Sequence, residues 1–135
     1  MYQKIAETMG KDGCYIFSLI YLAEKVSRTN IDALDVYRRA LESGYIESDC
    51  YVREPVKLLE MLTGKKWAMV KGSSTYATKK DEFEILRFEY TAGRSIIGHF
   101  VVGDGVGRVE YDPYGDSRTV RVGKLISKRV FWLVK

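Results

Sequence analysis

The stretch IIGHFVVGDGVGRVEYDP, residues 96–113, decides how the chain is read. Its first seven residues, IIGHFVV, are rich in β-branched and aromatic types and read as a strand over 96–102. Gly103, Asp104 and Gly105 form a turn signal, and GRVEY at 107–111 reads as the returning strand. The two strands are expected to form an antiparallel hairpin.

Working outward, short runs of the same character appear at 66–71 (KWAMVK), 83–90 (FEILRFEY), 118–122 (RTVRV) and 129–134 (RVFWLV). KGSSTYATKKDE, 71–82, has loop composition. Before Gly64 the pattern is helical. From Gly13 to Val26 the apolar residues Ile16, Phe17, Leu19, Ile20, Leu22, Ala23 and Val26 recur at spacings of three and four, with Asp12 and Gly13 as the start signal. A second helix is expected from Ile31 to about Ser43, with Thr29 and Asn30 as cap candidates and Gly44 as its stop. A third begins near Pro55 and ends at Gly64. Helices first and a meandering sheet afterwards define an α+β domain.

The chain has 135 residues, 46% hydrophobic and 30% charged, which suits one packed domain over 1–135. Its net charge of +4 comes from 22 basic and 18 acidic residues interspersed along the chain, and no nucleic-acid module is recognisable, so composition argues against a nucleic-acid partner. No apolar run is long enough to span a membrane and no secretion signal is seen, which predicts a cytoplasmic protein without a membrane partner. The two cysteines, Cys14 and Cys50, lack a CxxC arrangement, and His99 is the only histidine, so neither a metal nor another cofactor is expected. The sequence permits a disulfide between them, which a cytosolic chain would keep reduced.

Three segments carry the residues of thiol chemistry: DGCYIFSLIYLAE at 12–24, GHFVV at 98–102 and VEYDPYGD at 109–116. Cys14 reads either as a small core residue or as a thiol in the first turn of a helix, where the macrodipole favours the thiolate. His99 reads either as a satisfied core imidazole or as a general base. The hairpin brings Asp112 back toward His99, where a carboxylate could fix the imidazole tautomer; the other reading of Asp112 is a turn residue before Pro113. Cys50 is flanked by Glu47 and Asp49, which would raise its pKa, and reads as structural or as lining the site. The abundant tyrosines, among them Tyr15, Tyr111 and Tyr114, read as sheet packing rather than a binding cage.

The Gly-Cys pair at 13–14 heading a helix, followed downstream by GHFVVGDG and YDPYG, resembles the papain-like cysteine peptidases of the C39-like type. The resemblance implies a papain-like fold with N-terminal helices packed on a C-terminal antiparallel sheet. It also implies Cys14 as nucleophile, His99 as general base and acid, and Asp112 as the orienting residue. Tyr15 stands where family members usually carry a small residue, and Thr8 stands six positions before the cysteine, where the closest pattern has an oxyanion-binding glutamine. The one glutamine, Gln3, is then the oxyanion candidate, provided that the loop between it and Cys14 folds back. The function implied is hydrolysis of an amide bond in a peptide or protein substrate through a thioester. The alternative is a catalytically weak or inactive papain-like domain that binds a protein or peptide partner.

Overall fold

A computed structural model describes residues 2–135, apart from the side chains of residues 2, 3 and 11. Helices α1 (Tyr2–Asp12), α2 (Cys14–Ser27), α3 (Ala33–Glu42) and α4 (Pro55–Thr63) precede a sheet of β1 (Trp67–Ser73), β2 (Phe83–Ala92), β3 (Ser95–Gly103), β4 (Val109–Tyr111) and β5 (Lys124–Leu133). A short helix, α5 (Arg118–Val122), interrupts the strand series. The sheet order is β1-β5-β2-β3-β4 and every pairing is antiparallel, so the α+β expectation holds.

Helix ends follow local chemistry. Pro55 opens α4 at its first turn, where a missing N–H costs nothing, and Gly64 closes it in the left-handed conformation at φ 69°. The α3 cap is Asp32, whose side chain accepts from the Leu34 N–H; it lies two to three residues beyond the cap candidates Thr29 and Asn30. Gly13 joins α1 to α2. Its N–H donates to Met9 O at 2.8 Å, its own carbonyl accepts from Phe17 N–H at 2.8 Å, and a Cβ here would run into the Met9 carbonyl. Only glycine lets the two helices meet this closely.

Two expectations from the sequence are corrected. RTVRV, 118–122, is α5 and not a strand: its alternation imitates a strand, but the Ser117 side chain accepts from Val120 N–H and starts a helical turn that Gly123 ends. The segment between Gln3 and Cys14 is helix α1 and not a loop. Among the described side chains of α1, Ile5 and Met9 pack toward the core, and two apolar positions do not mark a helix in the sequence.

Side chains alternate between the two sheet faces. Trp67, Ile85, Val102 and Phe131 face the helical layer and share one core with Leu19, Leu22, Leu58 and Leu59. Leu86, Val101 and Val130 are buried on the opposite face, partly beneath α5. On that face Glu84 accepts from Lys128 Nζ at 3.0 Å, Thr78 Oγ1 at 2.6 Å and the Gly105 and Gly107 N–H groups at 3.0 and 2.9 Å. This carboxylate therefore organises the 103–107 turn that joins β3 to β4. No helix among the described residues is long and apolar enough to cross a membrane.

Candidate active site

Strand β3 is the hub of the site. It pairs with β2 along its length but meets β4 only at Val102 and Gly103, which leaves its edge open near His99 and Phe100. Successive residues point to opposite faces, so Phe100 faces the helical layer and stacks on Tyr15 of α2, with centroids 4.3 Å apart. His99 faces the other way and stacks on Tyr114 at 4.5 Å. The N-terminus of α2, with Cys14 as its first residue, lies against β3, and Ser18 Oγ donates to Cys14 O at 2.8 Å. Cys14 and His99 line one cleft of about 1130 Å³, together with Tyr15, Cys50, Phe100 and Tyr114.

The expected pairing of His99 with Asp112 is present. Tyr111 stands opposite Val102 in the hairpin, and Asp112 follows it, with Oδ1 2.7 Å from His99 Nε2. Both side chains are almost fully buried, at 2% and 4% exposure. Burial alone would raise the Asp112 pKa; hydrogen bonds from His99, the Tyr114 N–H and Ser117 outweigh it and hold the carboxyl below its ordinary range. An ionised carboxylate only accepts, so Nε2 carries the proton and donates it. The lone pair is then on Nδ1, which is buried and has no hydrogen-bond partner among the described residues.

At Cys14 burial decides between the two sequence readings of the thiol pKa. Burial pushes its pKa above the ordinary thiol value, although the backbone N–H groups of Phe100, Tyr15 and Cys14 itself, together with the Arg87 guanidinium, act in the opposite direction. Desolvation by burial outweighs the position at the helix N-terminus. The sulfur makes no hydrogen bond to Nδ1. Cys50 matches its reading as a lining residue: it is 3% exposed, and burial with Asp12, Asp49 and Cys14 raises its pKa to about 11. Both thiols are free.

Gln3 lies in α1, and its side chain falls outside the described ones, so it is not placed as a donor. Thr8 Oγ1 donates to Lys4 O within α1. Sequence reasoning missed Tyr114, assigned there to sheet packing, which covers one face of the His99 ring. It also missed a row of cationic side chains along the cleft floor, Arg87, Arg129 and Lys71. The proximity of Tyr114 to Asp112 in sequence was the available signal for the first; the second depends on strand register, which composition does not carry. Among the described residues no cluster of three or more His, Cys, Asp or Glu side chains is placed to hold a metal ion.

A helical layer over a five-stranded antiparallel sheet, with a thiol and a histidine lining one cleft and an aspartate hydrogen-bonded to that histidine, defines an α+β protein. A family model described as a protein of unknown function, DUF261, matches residues 2–133, and the chain belongs to that family. No curated protein and no solved structure matches it.

Proposed function

We propose that the protein is a papain-like thiol hydrolase of the C39-like type that cleaves an amide bond in a peptide or protein. The observation that carries this reading is the His99 ring, held through Nε2 on the Asp112 carboxylate with Nδ1 unpartnered, in the cleft that Cys14 lines.

Nδ1 takes the proton from the Cys14 thiol as the sulfur attacks the carbonyl carbon. The carbonyl oxygen becomes an oxyanion, for which the Cys14 and Tyr15 N–H groups at the head of α2, which face the Cys14 sulfur, are the donors in this reading. Collapse expels the amine, which leaves with the proton from Nδ1, and a thioester remains on Cys14. Water, deprotonated by Nδ1, then releases the carboxylic acid and restores the thiol. Asp112 keeps Nδ1 in the accepting form and stabilises the imidazolium. Burial raises the thiol pKa, so Nδ1 is the base on which the reading depends.

A second reading has its own observation: the thiol pKa is raised and no hydrogen bond links Cys14 to Nδ1, as in a cleft that binds a peptide without cutting it. Labelling with a peptidyl electrophile at neutral pH, with the modified residue assigned by mass spectrometry, separates the two. Hydrolysis requires selective modification of Cys14 that His99→Ala abolishes. Slow labelling that is equal at Cys14 and Cys50 would leave the binding-domain reading in place.

A further inference from the structure

The floor of the cleft beyond Cys14 carries three cations, Lys71, Arg129 and Arg87. Lys71 on β1 and Arg129 on β5 are directly opposed across the strand pair, and like charges at that register destabilise a sheet. Next along the floor, Arg87 on β2 pairs in register with Phe100 on β3. The Arg129 and Arg87 guanidinium carbons lie 5.1 and 4.8 Å from the Phe100 ring centroid. A Cβ on Gly98 would collide with the Arg87 guanidinium, so the glycine before His99 makes room for this cation to lie over β3.

These charges are incompletely matched. Arg87 Nε pairs with Glu89 at 3.2 Å, and Glu89 lines the same cleft. Arg129 has no carboxylate within ion-pairing distance among the described residues; its Nη1 donates to the Ser127 hydroxyl. Lys71 likewise has no ion pair among them. The remaining lining carboxylate, Asp12, stands two residues before Cys14, and its charge acts on Cys50 and Tyr114. One glutamate, whose charge reaches Arg129 as well as Arg87, therefore serves two guanidiniums, and the charge of Lys71 is added to them.

The geometry points to an acidic peptide as the occupant of this floor, its carboxylate side chains meeting Arg129 and Lys71 while its backbone lies beside Cys14. The inference rests on the proposed hydrolase reading and assigns its substrate class. From β3 to β5 is two strand spacings, about 10 Å, which an extended peptide covers in about three residues. The acidic residue is thus expected within about three positions of the bond presented to Cys14. The stacked Tyr15 and Phe100 rings between these points suit the intervening peptide backbone and side chains.

The test uses the full chain carrying Cys14→Ser, so that binding is measured without turnover. A fluorescent peptide with two glutamates is compared by anisotropy with its glutamine counterpart, and both with a single-stranded oligonucleotide of equal charge. The acidic peptide is expected to bind about tenfold or more tightly than the glutamine peptide, as one desolvated charge-assisted contact implies. Arg129→Gln and the exposed Lys71→Gln should each remove most of that preference. Equal binding of the two peptides, including no detectable binding of either, would overturn the inference, as would tighter binding of the oligonucleotide or an unchanged preference in both variants. Selective labelling of Cys14 in the unmodified chain, measured alongside, reports the hydrolase reading separately. Rapid labelling with no glutamate preference defeats the substrate assignment alone; a glutamate preference with unselective labelling defeats the hydrolase reading alone.

Discussion

His99 Nε2 and Asp112 Oδ1 lie 2.7 Å apart with both side chains almost wholly withdrawn from water. The contact joins the middle of β3 to the loop after β4, and it determines which ring nitrogen can accept a proton. Asp112 Oδ1 also accepts from the Tyr114 N–H at 2.9 Å, so the same oxygen that orients the imidazole fixes the loop carrying the ring stacked on it.

Asp112→Ala is expected to release the tautomer and leave the Nε2 hydrogen without its acceptor. Alkylation of Cys14 by a peptidyl electrophile should fall by about 10²-fold or more, the scale of a lost general base. Unfolding in urea should show a loss of about 1–3 kcal/mol from the unpaired buried donor. Unchanged labelling would remove Asp112 from the proposed machinery.

The two thiols should differ near neutral pH. Cys50, buried and with its pKa raised to about 11, is expected to react slowly; Cys14, which shares its cleft with His99, should react first. His99→Ala should erase most of the difference, as read by site-resolved mass spectrometry. Because the Cys14 pKa is also raised, thiolate absorbance should appear only on the alkaline side of the ordinary thiol value near 8.5.

Acid should weaken the fold through two carboxylates. Glu84, despite its burial, is held below its ordinary value by Thr78, Gly107, Lys128 and Gly105, and Asp112 by His99, Tyr114 and Ser117. Each group binds its proton less readily folded than unfolded. Its contribution is therefore complete above the ordinary carboxylate pKa of about 4 and is lost as pH falls through the lowered native value. Urea midpoints measured from pH 6 downward should decline in that window, and less steeply in Glu84→Gln.

Glu84→Gln at neutral pH leaves Lys128 as a buried, uncompensated cation. The expected cost is about 3–5 kcal/mol in equilibrium unfolding, far above that of a surface pair such as Arg38 with Asp35. A cost below about 1 kcal/mol would mean that Lys128 finds water when its partner is removed.

Gly13→Ala should also be costly, about 1–3 kcal/mol, because the added methyl meets backbone and not a flexible side chain. The accompanying shift of α2 should slow Cys14 labelling even in the fraction that remains folded.

The parts of this architecture that were legible in sequence are those governed by near neighbours. Pro55 and Gly64 bracket α4, and the Gly103-Asp104-Gly105 turn brings Asp112 to His99, because turn and cap chemistry act over a few residues. RTVRV misled because its alternation is a strand pattern, whereas its outcome depends on a single Ser117 cap and on the packing of Thr119 beneath the sheet. The cationic floor was illegible because Lys71, Arg87 and Arg129 meet only through the register of three strands. The thiol was left open between two readings for a related reason: the helix terminus is a local property, but the burial that raises the Cys14 pKa depends on how the chain packs around it.

The open edge of β3 has a consequence for how the molecule could be divided. Cys14 belongs to residues 2–64, while His99 and Asp112 belong to residues 65–135, and the backbone passes between these halves once, through Gly64 and Lys65. Neither half holds a complete site, and the two are joined by the Tyr15–Phe100 stack, the Tyr21–Tyr111 stack at 4.4 Å and the shared apolar core. A chain cut after Gly64 and expressed as two fragments should therefore be silent in each fragment and regain Cys14 labelling on mixing, which makes the site a complementation reporter of its own two layers.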